Sequence, residues 1–562
     1  MRPAAISIAW AAIALTAGAC ASHATLPSVR FRNQPAVNVV DDRRDVPSPP
    51  GGREPLIGEY YYEGYFRRRI SRALELRPAQ RALGVNALDE VPDSTWFENR
   101  IGVRDLSPDE VRAGATRVGS PEGFAPFTIR SSKAAGRAVG FVATDTRGEK
   151  FLLKFDVRGF PEIETAAEII SGRLLWAFGY HVPETHIVYL RREDLVIAPD
   201  ATTKDELGRK RRLTERDVRR ALRMVEIEPD GRIRVMASRM LDGKPLGGHP
   251  GEGTRPGDPN DRLPHERRRE LRGAYPVFAW IDHLDLKIQN SLDMWVTDPA
   301  NPDCHYVMHY FLDFGKTLGW MGMSSGDLRR GYAYTFDPGD VLESFVSAGL
   351  EARPWEARRA PGLRGVGIFD AHTFDPAGWI PAAPVYAPLL LADRFDRFWG
   401  AKIVMRFTRA QIGAAVDAAR LTDPRAAAYL VDTLVARQRA TGRYWFMKVN
   451  PLDRFALDAN AAAPTLCFDD LLLTYRLSAL GDGSRYQLTA YDADARMLAT
   501  TAEHVAAASG RTCVALPGIA GGDGYTIVRV TTRRPTFTGA TDVHLAREPG
   551  TSRLRIIGIW RP

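Results

Sequence analysis

The stretch His-Leu-Asp-Leu-Lys-Ile-Gln-Asn at residues 283–290, followed by Leu-Asp-Phe-Gly at residues 312–315, decides the fold predicted for this chain. Asp285 and Asn290 lie five positions apart in the first motif. Asp313 follows an apolar run that is typical of a short buried strand. An isolated Asp-Phe-Gly usually marks a turn after a strand, but two motifs in this order, each with strand-like flanks, favour a functional site.

A lysine on a strand and two glutamates on the next helix form the upstream half of the predicted site. Residues 140–155 have the pattern of a β-hairpin, and Lys154 falls in the apolar return strand Phe-Leu-Leu-Lys-Phe. Apolar residues recur at helical spacing over 162–180, where Glu164 and Glu168 lie one turn apart on the same face. Either glutamate can pair with Lys154, and we favour Glu168 because it lies deeper in the helix.

These five residues, Lys154, Glu168, Asp285, Asn290 and Asp313, resemble the protein-kinase-like superfamily. The similarity covers roughly residues 125 to 445 and is greatest to the atypical bacterial branch of persistence-toxin kinases and spore-coat-protein kinases. It implies an α+β fold with a two-lobed kinase-like domain.

The resemblance also implies a role for each residue, with ATP or another nucleotide and Mg²⁺ or Mn²⁺ as cofactors. Lys154 would hold the α- and β-phosphates, and Asn290 and Asp313 would ligate the metal. Asp285 would orient or deprotonate the attacking hydroxyl, and Lys287 would steady the transferring phosphoryl group.

The nucleotide-binding part departs from the usual kinase pattern. No Gly-x-Gly-x-x-Gly motif is present, and the candidate phosphate-covering turn is 131–136, with Lys133 and Gly136 as nucleotide-binding candidates. The adenine is expected against the strand at 233–238 and the chain to residue 241. Leu284 stands in place of the usual arginine, which argues against regulation by a phosphorylated activation loop, and no Ala-Pro-Glu segment follows residue 315.

Residues 1–20 have the marks of an export signal. Arg2 precedes a short apolar run, and small residues lead to Cys20. This end resembles the lipobox of bacterial lipoproteins, with Cys20 lipidated, and it predicts an exported protein anchored in the bacterial envelope, with the outer membrane facing the periplasm as the expected site. An ordinary cleaved signal is the alternative.

The remaining cysteines and the charge add weaker indications. Cys467 and Cys513 lie in the same C-terminal region, where a disulfide is possible in an oxidising compartment. Cys304 would then be the odd cysteine, with no other left to pair with it. His305 and His309 lie too far apart in a strand-like run for easy chelation, so a structural zinc is not expected. The net charge of +8 comes without basic runs interleaved with aromatic residues, so no nucleic-acid partner is expected.

The pattern along the chain predicts five parts. They are a signal with lipobox at 1–20, a flexible tether at 21–55, a helical extension at 56–120 with an aromatic seam from Tyr60 to Phe66, a kinase-like domain at 121–448 with an insertion at 199–231, and a β-sandwich at 451–562.

The function predicted from the sequence is transfer of a phosphoryl group from a metal-bound nucleotide to a protein, lipid or sugar hydroxyl at the cell envelope. The alternative is a pseudokinase scaffold, because ATP is scarce outside the cytoplasm. The Gly-x-Ser-x-Gly match at 322–326 follows a poor strand and does not indicate a serine hydrolase.

Overall fold

The computed structural model describes residues 26–32, 36–51, 61–74, 80–133, 139–205, 208–321, 329–458, 463–478 and 483–562. The predicted α+β class is confirmed, with 26% helix and 26% strand distributed over several sheets. The strands are β1 (Phe127–Ser132), β2 (Gly140–Thr144), β3 (Lys150–Phe155), β4 (Thr185–Leu190), β5 (Leu195–Lys204), β6 (Lys210–Arg212), β7 (Ile233–Arg239), β8 (Lys244–Pro245), β9 (Ser291–Asp298), β10 (Asn301–Phe311), β11 (Leu452–Asp458), β12 (Thr465–Asp470), β13 (Arg485–Tyr491), β14 (Met497–Thr500), β15 (His504–Val505), β16 (Arg511–Ala515), β17 (Thr526–Arg534), β18 (Phe537–Arg547) and β19 (Leu554–Trp560). The helices are α1 (Arg68–Ala73), α2 (Pro108–Ala113), α3 (Ile163–Phe178), α4 (Glu215–Leu222), α5 (Arg269–Arg272), α6 (Ala274–Trp280), α7 (Pro338–Val346), α8 (Ala387–Leu391), α9 (Arg394–Arg406), α10 (Arg409–Asp417), α11 (Pro424–Phe446) and α12 (Leu471–Thr474).

The first sheet has seven strands in the order β4-β7-β3-β2-β1-β5-β6. The predicted hairpin is present as β2 and β3, with Gly140 opposite Lys154. On the other side β3 pairs with β7, where Met236 lies opposite Lys154. The strand that carries the lysine is therefore central, and α3 follows it at the predicted position and ends before Gly179.

The stretch 199–231, predicted as an insertion, contributes strands to this sheet. β5 pairs with β1 in parallel, and β6 extends the sheet at its edge. α4 begins where the sequence indicated, since the Thr214 side chain caps its first turn by accepting from the Asp217 amide. The parallel pairing of β5 with β1 joins segments some 70 residues apart, so it leaves no local pattern in the sequence.

A short link joins this sheet to a second, three-stranded one in the order β10-β9-β8. The chain leaves the first sheet at Arg239, and β8 begins at Lys244. β9 and β10 form a long hairpin in which Asp293 lies opposite His309. The loop at 281–290 enters this hairpin, and Asp313 follows its end.

The helices behind the hairpin form the main hydrophobic core with α3. The predicted helical stretch at 393–445 consists of three helices, α9, α10 and α11, because Asp393, Thr408 and Asp423 each cap a new helix. Across the described part of the chain, no helix is both long and apolar enough to cross a bilayer.

The C-terminal region contains a three-stranded sheet, β11-β12-β16, and a six-stranded sheet around β13, β17 and β18. Three of its predicted strands are confirmed as β13, β17 and β19. The strand predicted at 471–475 is wrong: Asp470 accepts from the Leu472 amide and starts the short helix α12, which buries Leu471, Leu472 and Leu473 together. The capping side chain overrides the strand preference of that apolar run.

The tail predicted as a flexible tether at 21–55 is docked on the protein where the structure describes it. The Val46 side chain is buried, and its backbone accepts from the Trp295 indole at 2.8 Å. The Asp42 carboxylate accepts from both the amide and the hydroxyl of Thr95 at 2.8 Å. Backbone and side-chain hydrogen bonds fix the described residues 36–51 of this segment, which contain no helix or strand, so periodicity could not reveal the docking.

Over residues 61–74 and 80–120, which the structure describes, the extension predicted at 56–120 is much less helical than predicted. Helical structure covers the π-helical turn Glu63–Arg67, α1 and α2, whereas 80–107 is irregular. Buried aromatic side chains, including Trp96 and Phe97, hold this irregular part against α3 and the hairpin. Of the predicted aromatic seam, Tyr61 and Tyr65 do pack on the neighbouring region.

Removal of the disulfide between Cys467 and Cys513 is expected to destabilise the C-terminal sheets. The two cysteines lie directly opposite in β12 and β16 and close a loop with a sequence separation of 46. Replacing both by alanine should lower the free energy of unfolding by about 4 kcal/mol, because the unfolded chain gains the freedom of that loop. Chemical denaturation measures the change, with Cys304→Ala as the control; an unchanged midpoint in the double variant would contradict the expectation.

Candidate functional site

Lys154 lies at the centre of the candidate site and contacts two carboxylates. Its Nζ donates to Glu168 Oε2 at 3.0 Å and to Asp313 Oδ1 at 2.7 Å. Both Lys154 and Glu168 are buried. Burial alone would lower the pKa of Lys154, but the two carboxylates outweigh burial and raise it. Of the two glutamates considered from the sequence, Glu168 is therefore the one that pairs with the lysine.

The local structure around Asp313 brings it close to α3. Asp313 has a φ of 65°, an unusual left-handed conformation for a residue other than glycine. At Gly315 an added Cβ would lie 2.9 Å from Cγ of Glu164, so a larger residue here would displace the Glu164 side chain. The neighbouring ammonium of Lys154 lowers the pKa of Asp313, and the carboxylate is therefore ionised in this arrangement.

The loop that carries Asp285 is held by two lysines and an asparagine. Lys287 Nζ lies 2.8 Å from both Asp285 oxygens, and Lys316 Nζ lies 2.8 Å from Oδ2. Asn290 Nδ2 donates to the Asp285 carbonyl at 2.5 Å. Burial would raise the pKa of Asp285, but the two ammonium groups outweigh it and lower the pKa.

Besides the contact of Lys316 with Asp285, two contacts connect this loop with the Asp313 segment. The Leu312 amide donates to the Asn290 carbonyl at 3.0 Å. The buried ring of Phe314 packs against His283, with 5.7 Å between the ring centroids. Burial lowers the pKa of His283 to about 4, so the ring is neutral and acts as a packing element at neutral pH. The two sequence motifs are thus adjacent in space.

Lys133 belongs to the same group of charges, at the end of β1. Its stem approaches Gly140, where an added Cβ would lie 3.2 Å from Lys133 Cδ. Burial lowers the pKa of Lys133, and the nearby Lys154 lowers it further. The other residue predicted in this turn, Gly136, lies outside the described residues, as do Cys20 and the segment 322–326.

Lys316 is a candidate site residue that the sequence analysis missed. It follows Asp-Phe-Gly directly, and its side chain is 40% exposed while its ammonium contacts Asp285. Its position immediately after the motif was the available signal, but a lysine there has no meaning until the fold brings Asp285 beside it.

A second polar cluster, formed by His249, Asp293 and His309, was also missed. Asp293 Oδ1 lies 3.2 Å from His249 Nδ1 and 2.7 Å from His309 Nδ1, and Arg255 Nε donates to Oδ2 at 2.7 Å. Two histidines and a carboxylate are zinc ligands by type. Arg255 neutralises the carboxylate, so we interpret the cluster as a buried ion pair at the β9–β10 hairpin.

Trp96 attaches the N-terminal part of the chain to this cluster. Its ring stacks on His309 with 3.5 Å between centroids, and the Arg268 guanidinium covers it at 4.4 Å. His309 lies on β10, the strand that leads to Asp313. The irregular extension therefore supports the strand that positions the candidate metal ligand.

Glu164 is expected to make stability depend on pH. Burial raises its pKa to about 7. Between its ordinary pKa and about 7 the folded protein holds a proton that the unfolded chain has lost, so stability falls as the pH rises through this window. Glu164→Gln should remove this loss and be more stable than the wild type at about pH 8 by up to about 3 kcal/mol, with little difference at about pH 4.

Chemical denaturation at the two pH values measures the effect of Glu164→Gln. Glu168→Gln is the matched control, because it removes a partner of Lys154 and should destabilise the protein at about pH 8. A Glu164→Gln variant that is destabilised at both pH values would contradict the raised pKa.

Comparison of the sequence with models of known protein families and with curated proteins finds no match. Function is therefore inferred from the residues and contacts described above.

Proposed function

We propose that the protein is an exported, kinase-like phosphotransferase that uses a metal-bound nucleotide and a hydroxyl acceptor. One observation carries the proposal: Lys154 contacts both Glu168 and Asp313, while the loop of Asp285 and Asn290 lies directly beside the Asp313 segment. The residues come from four separate parts of the chain, and their chemistry matches the positioning and charge neutralisation that phosphoryl transfer requires.

The arrangement of the sheets supports a two-lobed organisation. The seven-stranded sheet with α3 would form the first lobe, and the β8–β10 sheet with α6 and α9–α11 the second. The link at 240–243 is the hinge candidate, beside which the adenine is expected. Lys154 comes from the first lobe and Asp313 from the second, so a nucleotide between the lobes would contact both.

The donor set fits a hard divalent cation. Asp313 would hold Mg²⁺ or Mn²⁺ with Asn290, through carboxylate and amide oxygens. The Asn290 amide nitrogen is engaged with the Asp285 carbonyl, which would hold the side chain in place and leave its oxygen for the metal. The metal would neutralise charge on the phosphates when bound.

The residues of the chain would position the reacting groups. Lys154 and Lys133 would bind phosphate oxygens, which requires Lys154 to exchange Asp313 for the nucleotide. Asp285 would accept the proton of the acceptor hydroxyl as the new bond from oxygen to phosphorus forms and the bond to the leaving diphosphate breaks. Lys287 and Lys316, whose ammonium groups both contact the Asp285 carboxylate, would stabilise the negative charge on the transferring group.

The C-terminal sheets are proposed to form a β-sandwich that serves as a binding module. Side chains from both sheets, such as Phe468 and Val528, share one buried core. Export and lipidation at Cys20 are part of the proposal, and the disulfide between Cys467 and Cys513 supports an oxidising compartment.

Calorimetric titration tests nucleotide binding directly. The chain without residues 1–20 keeps every described residue, and we expect it to bind ATP, GTP or a nucleotide sugar at one site with Mg²⁺ or Mn²⁺. At about one hundred times its dissociation constant the ligand should stabilise the fold by roughly 2.7 kcal/mol. Asp313→Ala should lose metal-dependent binding, and Asp303→Ala, an exposed carboxylate on β10, should keep it. No heat and no melting shift with either metal would reject the proposal.

A further inference from the structure

Two helical segments expose large apolar side chains on one side of the protein. The segment 61–74 exposes one apolar row, and α7 with the turn after it exposes another. Phe345 is 82% exposed and Leu350 is 88% exposed. We call this surface the apolar face, and it is represented by Phe66, Ile70, Leu74, Leu342, Phe345 and Leu350.

The two segments touch, so the apolar face is continuous. The rings of Phe66 and Phe336 lie 6.2 Å apart between centroids, and Arg69 lies 3.8 Å from Asp337 at the start of α7. α7 has nine residues and buries none of them. A helix of this length is marginal in water without packing, so contact with an external surface would stabilise it.

The charges along the apolar face largely compensate one another. Arg67 is paired with Glu63, Arg69 lies beside Asp337, and Arg353 pairs with Glu343 at 2.5 Å. A molecule that binds this face would therefore contact apolar side chains and little net charge.

The other side of the segment 61–74 lies next to the candidate site. Tyr61 and Tyr65 pack against a small cluster of Ala383, Val385 and Ile288, the last of which belongs to the Asp285 loop. Burial raises the pKa of Tyr61, and the Asp285 charge raises it further, which is consistent with their proximity. The apolar face and the proposed acceptor side of the site are thus neighbours.

We propose that the apolar face docks on a lipid bilayer and holds the Asp285 side of the protein at the membrane. The inference rests on the membrane attachment proposed above, since residues 1–20, outside the described part, supply the apolar run and Cys20 that would bring the chain to a bilayer. Aromatic and aliphatic side chains on short helices are suited to insertion at the boundary of headgroups and acyl chains. Because the charges compensate, docking should depend little on salt.

Depth-dependent quenching tests the docking. Residues 1–20 are replaced by a histidine tag that binds nickel-chelating lipid in vesicles of phosphatidylethanolamine and phosphatidylglycerol, so the chain reaches the surface whether or not Cys20 is lipidated. A fluorophore is attached at Phe345→Cys or, as the matched control, at exposed Val505→Cys on β15, each with Cys304→Ser. We expect a quencher on the lipid acyl chain to remove about half of the signal at position 345 and little at 505.

Further variants of the apolar face test whether it contacts the bilayer. Phe66→Asp with Ile70→Asp should return quenching at 345 to the level at 505, and a label at Leu350→Cys should repeat the result at a second position. Equal quenching at 345 and 505 would overturn the proposal. The proposal would also be overturned if, in solution without vesicles, the label at 345 became less accessible to a soluble quencher as the protein concentration rises. A second copy of the chain would then cover the apolar face. Nucleotide titration of the same tagged chain reports separately on the proposed activity.

Discussion

Lys154→Met abolishes nucleotide binding and lowers the free energy of unfolding by about 3 to 5 kcal/mol, as we expect from its buried position. The substitution leaves Glu168 buried without its cation and removes the counter-charge of Asp313. Calorimetric titration measures the binding, and chemical denaturation measures the stability. Lys150→Met is the matched control, because Lys150 is exposed on the same strand.

A double variant separates the two effects of Lys154→Met. Adding Glu168→Leu replaces the buried pair by apolar side chains, which is often neutral for stability. Stability should recover, whereas nucleotide binding should not. Nucleotide binding by Lys154→Met at wild-type affinity would contradict the proposed role of the lysine.

Asp285→Asn is expected to reduce phosphoryl transfer by about 10² to 10⁴ while nucleotide binding persists, because a base is lost but no nucleotide ligand is. A radiolabelled γ-phosphate assay on envelope fractions measures transfer, with titration for binding and Asp303→Asn as the control. Transfer by Asp285→Asn at the wild-type rate would exclude Asp285 as the base. Binding without transfer in the wild type would instead favour the scaffold alternative.

Much of the candidate site was predictable because its residues lie in short local patterns. The hairpin of β2 and β3 and the helix α3 follow from periodicity, and they fix Lys154 and Glu168 relative to each other. The two downstream motifs have strand-like flanks, so Asp313 and Asn290 were predictable as residues at the end and the start of strands. The contact between the two halves came from the resemblance and not from any local pattern.

The missed features depend on contacts between distant parts of the chain. Lys316 acquires a partner only when the loop of Asp285 folds beside it. The parallel pairing of β5 with β1 and the cluster around Asp293 likewise join segments without sequence periodicity. At residues 471–474 the local pattern misled, because one capping aspartate outweighed an apolar run of strand type.

Because Trp96 stacks on His309, the part of the chain that folds on its own begins before residue 121, where the kinase-like domain was predicted to start. A fragment cut at residue 121 would lose Trp96, together with the Asp42 and Thr95 pair that anchors it. Solvent would then reach the side of β10 that Trp96 covers. The ion pair of Asp293 with Arg255, which is buried in the intact protein, lies next to this side. The smallest excisable unit that retains Asp313 in its place therefore starts in the N-terminal tail, before Asp42.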